Sequence, residues 1–231
     1  MPRRVEPEWL DELPAEDPRA IRSRKDLQRL NAFMRNAKLM AGALRAAFED
    51  KPGRIVDLGA GDGRLMLEVA RQLPPSWKGT HVTLLDRQPS LSPATRKGFE
   101  ALGWQAESLK ADVLDWLRQP AAQAPDAIVA NLFLHHFREA QLAELLQQAA
   151  ARTKVFIAVE PRRWAWSSAF PPLFWLIGCG PVTRHDALVS IRAGFVGREL
   201  SPLWPPDENW SLQEGPASLC SHLFVAKQSA S

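Results

Sequence analysis

The chain predicts an α/β fold: a doubly wound, mostly parallel seven-stranded sheet, an N-terminal helical extension and a lid insertion after the fifth strand. Three observations predict it. Between residues 54 and 159, short apolar runs alternate five times with helix-patterned segments, as in a parallel sheet covered by helices on both faces. A glycine-rich turn closes the first run, at residues 59–63. The last two apolar runs, 210–214 and 219–226, have no helical segment between them and read as a terminal hairpin.

The elements follow in order. Residues 1–17 are polar and proline-punctuated, which predicts a loose tail ahead of a single domain over 18–231. Asp17 and Pro18 provide a helix cap and first turn. Leu30, Phe33, Met34, Ala37, Ala41, Leu44 and Phe48 recur at three- and four-residue steps, one face of a helix. Pro52 and Gly53 end this helical cap, residues 18–50. Strands are expected over Arg54–Leu58, His81–Leu85, Ala106–Lys110, Asp126–Leu132 and Lys154–Val159. Helices are expected over Arg64–Leu73, after Ser92, and along the face carrying Leu142, Leu145, Leu146 and Ala149. Residues 161–193 are the predicted lid and substrate region. They hold Trp164, Trp166, Phe170, Phe174 and Trp175, a density that lines a pocket for an apolar or aromatic compound, or fills a core. A helix is expected over Thr183–Arg192, and the final hairpin is expected to turn at Gly215-Pro216.

Composition narrows the chemistry. The 231 residues include no tyrosine, so no tyrosine hydroxyl acts as acid or base. The two cysteines, Cys179 and Cys220, have neither disulfide-framework numbers nor metal spacing. No Asp/Glu/His cluster with ligand spacing stands out, so no metal is expected. The net charge of +3 is uneven, with eight Lys or Arg and one acid, Asp26, over residues 19–45. Such a stretch is the solvated face of a helix or a surface for nucleic acid. No secretion signal or membrane-length apolar run stands out, so a cytoplasmic location is expected.

The chemistry centres on Ile55-Val-Asp57-Leu-Gly59-Ala-Gly61-Asp-Gly63. Glycines here let the backbone turn sharply and approach a ligand, and the next helix points its first N–H groups at that turn. A dinucleotide loop would be G-x-G-x-x-G, but Arg64 occupies the place of its third glycine. The pattern D-x-G-x-G-x-G instead resembles motif I of the class I S-adenosylmethionine-dependent methyltransferases of small-molecule type. That resemblance covers residues 20–160 and implies a Rossmann-like methyltransferase fold with S-adenosyl-L-methionine as cofactor and S-adenosyl-L-homocysteine as product. It implies cofactor roles for Asp57 at the methionine end, Gly59, Gly61 and Gly63 in the turn, Asp86 on the ribose hydroxyls and Asp112 at the adenine. Asp112, preceding an apolar run, reads equally as a helix N-cap.

The fourth strand leads into Asn131-Leu-Phe-Leu-His135-His136-Phe137, which resembles the Leu-His-His segment of small-molecule class I methyltransferases. Asn131 joins the cofactor set. Pro-Pro does not follow it, which argues against an adenine or glutamine amino acceptor. His135 and His136 are candidate bases at the carboxyl edge of the sheet, where ligands bind in such folds. His185, beside Asp186, is a third. Glu160 could orient a histidine or the substrate, or cap the next segment. The segments around Val182–Leu188 and Ser221–Ala226 resemble a methyltransferase subgroup associated with bacterial polyketide genes.

The leading expectation is therefore methyl transfer to a small, largely apolar hydroxylated metabolite, with O-methylation of an aromatic or polyketide-like compound favoured. The alternatives are an RNA or protein methyltransferase using the basic helix, and a non-catalytic S-adenosylmethionine-binding protein. No nucleic-acid module is recognisable, which argues against nucleic acid as partner. The oligomeric state is open, a homodimer included.

Overall fold

The computed structural model describes residues 2–14, 16–120, 123–163 and 178–229. Its sheet has seven strands: β1 (Arg54–Leu58), β2 (His81–Asp86), β3 (Gln105–Lys110), β4 (Ala127–Asn131), β5 (Val155–Pro161), β6 (Trp210–Pro216) and β7 (Ser221–Gln228). The order is β3-β2-β1-β4-β5-β7-β6, with β7 antiparallel to both neighbours and the other pairings parallel. The strand order reverses between the parallel neighbours β1 and β4, which places a crevice at their carboxyl ends, where open α/β sheets bind ligands.

Strand alternation divides the core into two layers. Ile55, Val82, Leu84, Val129 and Ile157 face one side, against α3 (Asn36–Ala47), α4 (Arg64–Arg71) and α5 (Pro93–Ala101). Val56, Leu58, Ile128, Phe156 and Phe224 face the other, against α6 (Val113–Arg118), α7 (Glu139–Ala150), Phe195 and Trp204. Each buried Leu or Phe contributes about 1.5–3 kcal/mol. β1 and β4 are covered on both faces, so their sequences read as near-continuous apolar runs. The helix expected after Ser92 forms as α5, and Ser92 caps it by accepting the Thr95 N–H at 3.1 Å. No described helix is long and apolar enough to cross a membrane.

Several expectations are corrected. Residues 2–14 are not a loose tail. They hold a short helix, α1 (Trp9–Glu12), against α8 (Pro181–Ala193). Asp186 accepts the N–H groups of Trp9 and Leu10, at 2.9 and 3.0 Å. The Arg3 guanidinium donates to the Ala193 and Phe137 carbonyls at 2.7 and 2.8 Å. The expected single cap helix is two: α2 (Pro18–Met34) and α3, broken where Arg35 takes a left-handed φ of 57°. The break divides the apolar face, so Leu30 packs near Cys179, Leu44 packs on the sheet, and Phe33 is exposed.

The hairpin does not turn at Gly215-Pro216, which stay in β6 opposite Leu223 and His222. Proline is tolerated there because β6 is an edge strand. The turn comes later, where Ser218 Oγ accepts the Cys220 and Ser221 N–H groups. Residues 164–177 of the expected lid, which include its five named aromatic residues, lie outside the described residues. Cys179 is buried and Cys220 half-buried, both as free thiols.

Candidate active site

At the end of β1 the chain makes a tight turn on three left-handed glycines, with φ of 69° at Gly59, 55° at Gly61 and 71° at Gly63. A Cβ on Gly59 would stand 2.2 Å from the Phe133 ring, and one on Gly63 2.6 Å from Leu84. These two glycines are required by close packing. Gly61 differs, because a Cβ there would meet nothing within 4 Å. Its backbone borders open space at the start of α4.

Asp86, at the end of β2, is tied to this turn. Its Oδ2 accepts the Gly61 N–H at 2.9 Å and its Oδ1 the Gln88 N–H at 2.8 Å. A carboxylate offers about four acceptor positions, so capacity remains for two hydroxyls. Asp112 caps α6, accepting the Leu114 and Asp115 N–H groups through Oδ1 at 2.9 and 3.4 Å. Asn131 accepts a hydrogen bond from Asn36 Nδ2 at 2.9 Å, and Ser221 Oγ donates to Asn36 Oδ1 at 2.9 Å. Asn131 therefore links the start of α3 to the carboxyl edge. α2 reaches the same turn: Gln28 Nε2 donates to Asp62 at 2.9 Å, and Arg64 donates to Gln28 at 2.8 Å.

Asp57 differs from the other acids. Its side chain is 4% exposed and has no hydrogen-bond or ion-pair partner among the described residues. Burial, and secondarily the Asp86 carboxylate, push its carboxyl up from 3.8 to about 8. A buried carboxylate without a partner is costly, and a cationic ligand group in the crevice would relieve that cost.

This leads to a pH prediction. The folded chain holds a proton on Asp57 between pH 3.8 and about 8 that the unfolded chain has lost. The group's contribution to stability therefore falls as pH rises through that window, and Asp57→Asn should flatten the slope in denaturant melts. A ligand ammonium needs the ionised carboxylate. Binding should then release a proton and strengthen by about tenfold per pH unit until pH 8. Calorimetry in buffers of different ionisation heats measures this, and binding that is level from pH 6 to 8 would refute it.

The three candidate bases are placed differently. His135 is buried, with Nδ1 2.9 Å from Glu160 Oε2 and Nε2 3.4 Å from Glu8 Oε1. Burial disfavours its charge, but the two carboxylates outweigh burial and raise the imidazole to about 9. Carboxylates thus face both of its ring nitrogens. Its neighbour His136 is half-buried, with ring centroids 4.2 Å apart. His185 Nδ1 lies 2.9 Å from Asp186 Oδ1, and its ring stacks on Trp9 at 3.8 Å. The His185 side chain is 33% exposed.

Glu160 does orient a histidine, and it also organises the turn. Its Oε1 accepts the N–H groups of Phe133 and Leu134 at 3.0 and 2.8 Å. Sequence reasoning missed Glu8 and Arg3, because nothing local distinguishes them within a polar, proline-punctuated stretch.

A family model described as a methyltransferase domain matches residues 55–155. Residues 55–155 are a methyltransferase domain. The segment runs from the glycine turn to the start of β5, and the fold around it is the Rossmann-like fold of S-adenosylmethionine-dependent methyltransferases. The chain is similar to an O-methyltransferase family protein from Burkholderia thailandensis, with 19% identity and a TM-score of 0.61, over 94% of this chain and 61% of that one. It thus spans less than two-thirds of that protein. It is similar to the plantazolicin methyltransferase BpumL in complex with SAH, with 17% identity and a TM-score of 0.65, over 92% of this chain and 91% of that one. It is also similar to magnesium protoporphyrin IX methyltransferase (ChlM) from Synechocystis PCC 6803 with bound SAH, with 17% identity and a TM-score of 0.56, over 89% and 86% of the two chains. At these identities the likeness establishes the fold alone. No curated protein matches the chain.

The methyltransferase site passes a test of fit for its cofactor. The partnerless Asp57 suits a cationic amino group, the open backbone at Gly61 suits close approach, and Asp86 keeps acceptor capacity.

Proposed function

We propose that this S-adenosylmethionine-dependent methyltransferase acts on the hydroxyl of a small, largely apolar metabolite, with an aromatic or polyketide-like compound favoured. Buried, partnerless Asp57 beside the open Gly61 turn is the observation that carries the cofactor half of the reading. Asp57 takes the methionine end, Asp86 the ribose hydroxyls, Asp112 the adenine, and Asn131 holds the edge of the cofactor crevice. When bound, the cofactor supplies a methyl already activated by a sulfonium. The protein's tasks are to aim the acceptor oxygen, exclude water and take up its proton. The structural neighbours, an O-methyltransferase family protein and the plantazolicin and magnesium protoporphyrin IX methyltransferases, support a small-molecule acceptor. The aromatic residues of segment 164–177 support an apolar one.

His185 is our choice for the proton acceptor. An acid orients its Nδ1, the ring remains partly exposed, and α8 packs on the turn after β4 and on β5. An oriented imidazole of this kind contributes about 10²–10⁴ in rate.

The test is a methyl-transfer screen of phenolic and polyketide hydroxy compounds with labelled cofactor, run beside a mixed RNA and protein substrate pool. Label on a small hydroxy compound, lost by about 10²-fold or more in His185→Gln at unchanged cofactor affinity, supports the reading. Label confined to RNA or protein overturns it.

A further inference from the structure

We infer that Glu8, His135 and His136 form a binding site for a divalent transition-metal ion of the zinc class, held where the N-terminal segment meets the turn after β4. The inference is independent of the acceptor proposed above.

One oxygen of Glu8 and one ring nitrogen from each histidine lie within 4.8 Å of one another. The Glu8 Oε1 to His135 Nε2 distance is 3.4 Å. Zinc bonds of about 2.0–2.2 Å in tetrahedral geometry put neighbouring ligand atoms roughly 3.3–3.6 Å apart, so this pair already stands at ligating separation. A ring nitrogen of His136 lies within 4.8 Å of both.

The donor set has a definite chemistry. Two imidazoles and one carboxylate, with a position left over, suit zinc, and also cobalt, nickel or iron(II). Magnesium and calcium prefer oxygen ligands.

The surrounding contacts match those that support metal ligands. His135 Nδ1 faces Glu160 Oε2 at 2.9 Å, which turns Nε2 toward Glu8. A carboxylate behind a ligating histidine fixes its tautomer and raises its basicity. Glu160 is itself held by the Phe133 and Leu134 N–H groups, and Ser190 Oγ donates to Glu8. Glu8 and His135 are both buried, which makes a carboxylate and an imidazole expensive to keep together unless a proton or a cation sits between them. An ion there fastens the N-terminal segment to the carboxyl edge of the sheet.

The experiment strips the full chain with a chelator and titrates it with Zn²⁺ by calorimetry and with Co²⁺ by visible absorption. The expected result is a single ion per chain, four- or five-coordinate cobalt bands, and a rise in Tm with metal. Glu8→Gln and His136→Gln should each weaken binding by at least about tenfold, and Glu160→Gln by about 10–100-fold through His135. His81→Gln, distant on β2, should leave binding unchanged. Circular dichroism confirms that each variant is folded, and His136→Gln, at a half-buried position, keeps the test open if Glu8→Gln unfolds. No binding by the wild-type chain means that the cluster is a buried ion pair only, and overturns the inference. So does binding that survives both ligand variants, which would place the ion on other surface groups.

Discussion

Replacing Asp86 with alanine should weaken binding of both S-adenosylmethionine and S-adenosylhomocysteine by on the order of 10²–10⁴. Two hydrogen bonds from ribose hydroxyls to a charged acceptor contribute about 1.5–3 kcal/mol each, and both disappear. The same change removes the acceptor of the Gly61 N–H, so part of the loss comes through a loosened turn. Asp86→Asn separates the two effects. It keeps an oxygen for Gly61 and loses the charge, and should retain more affinity than alanine. Calorimetry with both adenosyl ligands and with NADH reads this directly. Unchanged affinity in Asp86→Ala would remove Asp86 from the cofactor site. Binding of NADH alone by the wild-type chain would remove the cofactor itself.

The second large effect is on stability. Glu160→Ala should lower stability by roughly 3–5 kcal/mol, the usual cost of removing one partner of a buried ionic group. At about 2–4 °C per kcal/mol for a chain of this size, Tm should fall on the order of 10 °C. The reason lies in what the residue holds. Glu160 is fully buried, accepts the Phe133 and Leu134 N–H groups, and faces the His135 ring. Removing it strands two backbone donors and leaves the buried His135 Nδ1 without its partner. Glu160→Gln keeps one acceptor oxygen and should cost less. A melting temperature within about 2 °C of wild type in Glu160→Ala would show that water or another acid can replace it.

Much of the fold could be read from local pattern. Apolar runs at β1, β4 and β5 and the three glycines after β1 are local signals, and the strands form within a few residues of where those signals place them. Ser92 caps α5 for the same reason, since a cap depends on residues within one turn. Asp112 shows the limit of such signals. It caps α6, as one of its two readings required, while the other reading concerns a ligand contact that no local signal decides.

The misread elements have long-range causes. The break at Arg35 is secured by Asn36, whose partners Asn131 and Ser221 come from β4 and β7. The N-terminal residues look like a tail because their partners, Asp186, Ala193 and His135, lie far along the chain. The hairpin turn moved because Ser218 gives the chain two backbone hydrogen bonds that Gly215-Pro216 does not.

Taken alone, the sequence determined the sheet class, the glycine turn after β1 and the acids at the strand ends. Each depends on residue type and spacing within a single strand–turn–helix unit, where backbone geometry leaves few choices. Tertiary structure alone decided which histidine is buried, which acids surround it and what the N-terminal segment does. Those outcomes depend on which side chains are buried together at one edge of the sheet. Burial strengthens a carboxylate–imidazole contact and penalises a lone charge, so Glu8, His135 and Glu160 acquire their roles only once the fold has brought them together.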